Sequence, residues 1–192
     1  MGLYGNGDFY TLKGGVEAIL RRLSIHGVEF VPCCDNPSYH PGRTAAILAG
    51  EKQIGTVGQI HPTVLRNYGI GAELYVCELD MLSLFALVDS HKEYKALPKF
   101  PAVTRDLALL CGEDLPVLSL EKAIRAAAGK PLEQLELFDV YKGAQVEAGK
   151  KSVAFSLSLR SYDHTLTDAE ADAVMKKVLA KLESEFGATI RK

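Results

Sequence analysis

The chain has 192 residues, 47% hydrophobic and 24% charged, an ordinary globular composition that excludes disorder and fibres. A formal net charge of −2 excludes a polycation that grips nucleic acid mainly by neutralising phosphates. Residues 1–92 hold 7 basic against 9 acidic side chains and residues 93–192 hold 15 against 15, so a nucleic acid partner has to be met at few points.

Chain order begins with Met1-Gly2-Leu3-Tyr4-Gly5, which has neither a basic nor an apolar leader segment. No apolar run approaches the roughly 18 residues that cross a bilayer, and the expectation is a cytoplasmic protein. Gly2, Gly5 and Gly7 lack the preceding strand and the Lys-Ser/Thr pair of a phosphate loop. Thr11 to Ser24 reads as a helix, with Val16, Ile19, Leu20 and Leu23 at helical spacing. Val28 to Val31 alternates like a strand, and the turn-rich run Asn36 to Arg43 predicts an ordered loop. Thr44–Leu48 and Gln53–Ile60 predict an antiparallel hairpin, His61-Pro62 opens a helical turn through Tyr68, and Leu74–Leu79 predicts a strand. Asp80 is placed to cap a short helix from Met81 to Leu87. The polar run from Asp89 to Glu93 sets the predicted boundary between a first domain, residues 1–92, and a second, residues 93–192.

The second domain opens on Phe100 to Leu110, a strand with two unlike faces. Side chains alternate along a strand. Val103, Leu107 and Leu109 therefore share a core face, and Ala102, Thr104, Asp106 and Ala108 share one too small and polar to need a core. Arg105 falls in phase with the core and is expected at a sheet edge. Pro116 starts a helix carrying Val117, Leu120, Ile124 and Ala127, which Gly129 and Pro131 end. Leu135–Tyr141 and Val153–Arg160 predict a second hairpin. Thr167-Asp168-Ala169-Glu170 has capping-box spacing and starts a long helix to Phe186, and Ala188–Arg191 predicts a last strand. The order strand, helix, strand, strand, helix, strand is that of a ferredoxin-like βαββαβ domain, a four-stranded antiparallel sheet with both helices on one face. The fold class is thus α+β. Alternation places Phe138 and Val140 under the helices with Val153, Phe155, Leu157 and Leu159. It puts Asp139, Tyr141, Ser152, Ala154, Ser156, Ser158 and Arg160 on the open face, and leaves Leu135 and Leu137 on that side.

Catalytic chemistry finds little support. His40, Arg43, His61 and Asp80 are not spaced as a nucleophile, base and orienter, and adjacent Cys33 and Cys34 do not form a metal knuckle. No catalytic and no metal residue is assigned, and Cys33, Cys34, Cys77 and Cys111 are expected to be buried thiols. Asp139 and Tyr141 differ, because a carboxylate can accept a guanine's N1–H and N2–H donors while a phenol ring can stack on an unpaired base.

The ordered series His40-Pro41-Gly42-Arg43, Gly55 to Pro62, Phe100-Pro101-Ala102-Val103 with Arg105-Asp106-Leu107-Ala108, Phe138-Asp139-Val140-Tyr141 with Gly143, Gly149-Lys150-Lys151-Ser152 and Thr165-Leu166-Thr167-Asp168 covers nearly the whole chain. In these motifs the sequence resembles the C-terminal part of the bacterial phenylalanyl-tRNA synthetase β subunit. The resemblance implies a first half that ends a class II synthetase-like module without an active site, and a second half that is the ferredoxin-fold anticodon-binding domain. It implies RNA-binding residues Ala108, Asp139, Tyr141, Ser152 and Arg191. It also implies partners, namely phenylalanine-specific tRNA, the α subunit and the remainder of the β subunit in a heterotetramer of two α and two β chains. ATP and magnesium serve the holoenzyme, which joins phenylalanine to its tRNA, and no cofactor is implied for this stretch. The alternatives are a free-standing ferredoxin-like regulatory domain that binds a small ligand or pairs sheet to sheet, which needs apolar side chains on the open face or a Gly-rich loop after its first strand, and an independent hydrolase, which needs a nucleophile and base.

Overall fold

The computed structural model describes residues 1–89, 94, 97–143 and 145–191. The backbone clusters into two compact units, Met1–Tyr94 and Lys95–Lys192. Most of the predicted polar boundary, Ser90 to Glu93, lies outside the described residues.

In the first unit, β1 (Gly2–Tyr4), β2 (Val28–Pro32), β3 (Tyr39–Ala49), β4 (Lys52–Ile60) and β5 (Leu74–Leu79) form one antiparallel sheet in the order β1-β5-β4-β3-β2. Helix α1 (Phe9–Arg22) begins two residues before the predicted start, because the Asp8 carboxylate accepts from the Thr11 backbone N–H at 2.7 Å. It buries Leu12, Val16 and Leu20 in one core with Ile47, Ile54, Val57 and Tyr75. The predicted loop Asn36–Arg43 is only partly a loop. Tyr39 pairs with Ile60 and Thr44 with Gly58, so strand β3 starts at Tyr39 and carries an irregularity across the intervening residues. Two short helices, α2 (Pro62–Asn67) and α3 (Met81–Leu87), are capped by the side chains of His61 and Asp80.

Gly55 sits where another backbone comes close: a Cβ there would lie 2.4 Å from the Glu78 carbonyl oxygen and 2.9 Å from Leu79 Cδ2. Gly55→Ala should therefore strain the β4–β5 ladder and destabilise the first unit by roughly 1–3 kcal/mol, measurable by thermal or denaturant unfolding.

In the second unit, β6 (Val103–Gly112), α4 (Val117–Ala128), β7 (Leu132–Tyr141), β8 (Lys150–Leu159), α5 (Asp168–Phe186) and β9 (Thr189–Ile190) form the βαββαβ arrangement, with sheet order β7-β8-β6-β9, all antiparallel. Leu120, Ile124, Val178 and Leu182 of the helices close over Leu107, Leu109, Val153, Phe155, Leu157 and Leu159, one face of the sheet. Strand β9 is two residues long and pairs only with Leu109 and Leu110, so β6 has an open edge at Arg105. The Arg105 guanidinium uses that opening to reach α5, donating to Asp168 Oδ1 at 2.6 Å and to Asp172 Oδ1 at 3.4 Å.

One predicted alternation is overturned. Along β7, Leu137 pairs with Phe155 and Asp139 pairs with Ala154, so Phe138 is an extra residue in a bulge. The inserted residue shifts the phase of Gln134 to Leu137, up to a second irregularity between Leu132 and Gln134. Leu135 and Leu137, opposite Leu157 and Phe155, turn to the helix side instead of the open face, while Phe138 is 55% exposed instead of buried. Val140 keeps the helix side opposite Val153 but remains 41% exposed on the edge strand.

The thiols divide: Cys77 and Cys111 are buried, and burial raises the pKa of both, whereas Cys34 is exposed and Cys33 half-buried. Helix α5 starts in a full capping box. The Thr167 hydroxyl accepts from the Glu170 backbone N–H, and the Glu170 carboxylate accepts from the Thr167 N–H at 2.9 Å. The Thr167 backbone, then its hydroxyl, and then His164 pull the Glu170 carboxyl from 4.5 down to about 2. A carboxylate with a depressed folded-state pKa contributes stability above its unfolded value, and that contribution is lost as pH falls through the folded one. The thermal midpoint of Glu170→Gln should lie below wild type at neutral pH, with the gap closing as pH falls from 4.5 to about 2.

Candidate nucleic-acid interface

The helix-free face of the second sheet is built from short side chains because β6 and β8 present their even-numbered residues there. Thr104, Asp106 and Ala108 of β6 lie opposite Ser158, Ser156 and Ala154 of β8. Strand β7 adds Gln134, Glu136, Asp139 and Tyr141 opposite Ser158, Ser156, Ala154 and Ser152. The phase break at Phe138 leaves Asp139 and Tyr141 on this face.

Three strands and the residue after β9 then meet on two rungs that are successive on this face. One rung runs Asp139, Ala154, Ala108, and is extended by Arg191, whose backbone N–H donates to the Ala108 carbonyl at 2.9 Å. The next runs Tyr141, Ser152, Leu110. The Arg191 guanidinium crosses between them, donating to Ser152 Oγ at 3.4 Å and to Gln145 Oε1 at 3.1 Å, with its carbon 5.5 Å from the centre of the Tyr141 ring. All five residues singled out from the sequence, Ala108, Asp139, Tyr141, Ser152 and Arg191, thus share one patch. Ser152 is only 4% exposed, so it acts through the arginine it holds. Gln145 belongs to the same cluster; it lies in the hairpin connection, where no alternation marks it, and only the fold brings it to Arg191.

Arg160, grouped with the open face by alternation, is tied down. Its Nε donates to Glu133 Oε2 at 2.9 Å and its Nη1 donates to the Phe100 carbonyl, which leaves its side chain 17% exposed. The face carries Asp106, Glu136 and Asp139 against Arg191, so a phosphate backbone is not drawn flat onto it; what it offers is a carboxylate, a ring and a fixed guanidinium for the edge and plane of a base.

A cleft of about 670 Å³ lies on the first unit, walled by Phe9, Tyr10, Phe30, Pro32 and Tyr75 with Arg43 at its side. Arg43 is paired there, donating to Gln59 Oε1 at 2.7 Å with Glu73 at 3.6 Å. Depth does not decide between the two places, since unpaired bases are read on open sheets. Among the described residues no three His, Cys, Asp or Glu side chains group as a metal site, and no helix is long and apolar enough to cross a membrane.

Residues 98–191 match the family model of the ferredoxin-fold anticodon binding domain, and residues 3–81 match that of the phenylalanyl tRNA synthetase beta chain CLM domain. The chain belongs to the phenylalanyl-tRNA synthetase β-chain family. It is 43% identical over 191 residues to the phenylalanine–tRNA ligase beta subunit of Clostridium acetobutylicum, and 44% identical over 191 residues to that of Clostridium tetani, covering 100% of this chain and 24% of each relative. The beta subunit of Streptococcus pyogenes serotype M1 is 42% identical over 184 residues, 96% of this chain and 23% of the relative. The chain therefore spans about a quarter of the length of the curated β-chain relatives it matches. Both rungs of the patch fall within the anticodon-binding match.

Proposed function

We propose that the second unit recognises the anticodon of phenylalanine-accepting tRNA within a phenylalanine–tRNA ligase, with Asp139 accepting hydrogen bonds from the Watson–Crick edge of an unpaired base and Tyr141 stacking on its plane. The observation that supports this most is the convergence of Asp139, Tyr141 and Arg191 on successive same-side rungs of a helix-free sheet face. Guanine fits the carboxylate best, since it alone offers N1–H and N2–H donors side by side, and the anticodon for phenylalanine codons begins with it. Ala108 and Ala154 beside Asp139 leave room for the base, and Ser152 fixes Arg191. With Leu135 and Leu137 turned to the helix side, the face is mostly short and polar with Leu110 at one rung, which favours the anticodon reading over a small-ligand regulatory domain.

The first unit supplies packing surface. Helix α3 exposes Met81, Leu82 and Phe85 while burying Leu84, an apolar face suited to the remainder of the β chain or to the α subunit. The domain division at residues 92 and 93 follows the same assignment, a synthetase-like module followed by an anticodon-binding domain. ATP and magnesium serve the holoenzyme.

The test is aminoacylation by the holoenzyme of tRNA with guanine, or another base, at the first anticodon position. Asp139→Ala should lower the discrimination between the two by on the order of tenfold, the worth of a paired base-edge contact. Discrimination equal to wild type would show that Asp139 is not the reader.

A further inference from the structure

We infer that Gly143 and Gln145, in the connection between β7 and β8, are positioning residues that preset the Tyr141 ring and the Arg191 guanidinium for the incoming base. This rests on the reading of Tyr141 and Arg191 as RNA-binding residues.

Tyr141 ends β7, and its phenol tip leans over the connection into space that a side chain at residue 143 would take. A Cβ on Gly143 would lie 2.6 Å from Tyr141 Oη, 2.8 Å from Cζ and 3.4 Å from Cε1. Real Cβ atoms do not approach so closely. The backbone of Gly143 is not in the left-handed region, unlike that of Gly149, so an L side chain is conformationally acceptable there. Clearance under the ring is what glycine provides. An alanine at 143 leaves the chain path intact and moves the ring.

Two residues further on, Gln145 Oε1 accepts from Arg191 Nη2 at 3.1 Å, on the other terminal nitrogen from the one that donates to Ser152 at 3.4 Å. With its backbone N–H on Ala108, Arg191 is held at three points, and its guanidinium stays over the Tyr141 ring. One short connection thereby fixes both side chains before RNA arrives. Ordering flexible side chains at the moment of binding weakens association, and presetting them removes that loss. Neither residue needs to touch the base.

The experiment measures binding of phenylalanine-accepting tRNA to the complete ligase carrying single and paired substitutions. Gly143→Ala should raise Kd on the order of tenfold. Gly143→Ala together with Tyr141→Ala should bind no worse than Tyr141→Ala alone, because a residue acting only through the ring has nothing left to act through. Gln145→Ala should weaken binding, Gln145→Glu should restore it by keeping the acceptor, and Gln145→Ala should add nothing to Arg191→Ala. Wild-type affinity in Gly143→Ala and Gln145→Ala, or losses that add in the paired variants, would overturn the inference while leaving the anticodon reading intact. Wild-type affinity in both Tyr141→Ala and Arg191→Ala would overturn the anticodon reading itself, and the positioning role with it.

Discussion

Phe155→Ala is expected to cost the second unit about 3–5 kcal/mol, whereas Phe138→Ala, seventeen positions earlier in the same hairpin, should stay within about 0.5 kcal/mol of wild type. Phe155 is 0% exposed in β8, the strand between β7 and β6, and its ring belongs to the cluster containing Leu120, Ile124, Val178 and Leu182. Truncation there removes a whole ring from the core and leaves a cavity that strands paired on both sides cannot collapse into. Phe138 is the extra residue of the bulge and is already 55% in water. Calorimetric unfolding of both variants would separate them. A large loss for Phe138→Ala would mean that its ring is buried and the bulge misassigned.

The second large effect concerns binding. Tyr141→Ala in the complete ligase should weaken tRNA binding by roughly 1–3 kcal/mol, about 5- to 150-fold, the worth of one base stacked on an aromatic ring. Tyr141→Phe keeps the ring and should retain most of the affinity. Because Arg191 covers one face of the ring, the proposed base has the other face to stack on. Binding by the second unit alone should be weak and depend shallowly on salt, since the second half carries equal numbers of basic and acidic residues and the open face places three carboxylates beside Arg191. Filter binding across a range of salt concentrations measures both, and a steep slope would point to phosphate contacts made elsewhere.

Much of this was legible in the residues. Leu74–Leu79 and Met81–Leu87 are found where alternation and the Asp80 cap place them, and the capping box at Thr167 starts α5 as its spacing predicts. Strand β1 was missed because three residues carry no periodicity; Gly2–Tyr4 is a strand only because β5 has an edge to pair with. Tyr39–Arg43 contains Pro41 and Gly42 and reads as a turn, yet the ladder resumes at Thr44 and absorbs it. At the site, alternation assigns Asp139 and Tyr141 to the correct face although it fails at Phe138, the residue just before them. Nothing in the composition of Leu137-Phe138-Asp139 marks an inserted residue, because the bulge is set by pairing with β8 and not by local preference. The clearance at Gly143 and the reach of Gln145 to Arg191 are likewise contacts across the fold.

The bulge also separates two sets of constraints on one strand. Between Gln134 and Leu137, odd-numbered residues answer to the core; after Phe138, even-numbered residues do. A single-residue deletion there would merge the two phases, sending either Leu135 and Leu137 out to the helix-free side or Asp139 and Tyr141 in beneath the helices. With the extra residue kept, the two halves of β7 can each accept substitutions without forcing compensation in the other, so the proposed base preference should be open to redesign at Asp139 and Tyr141 without reworking the core.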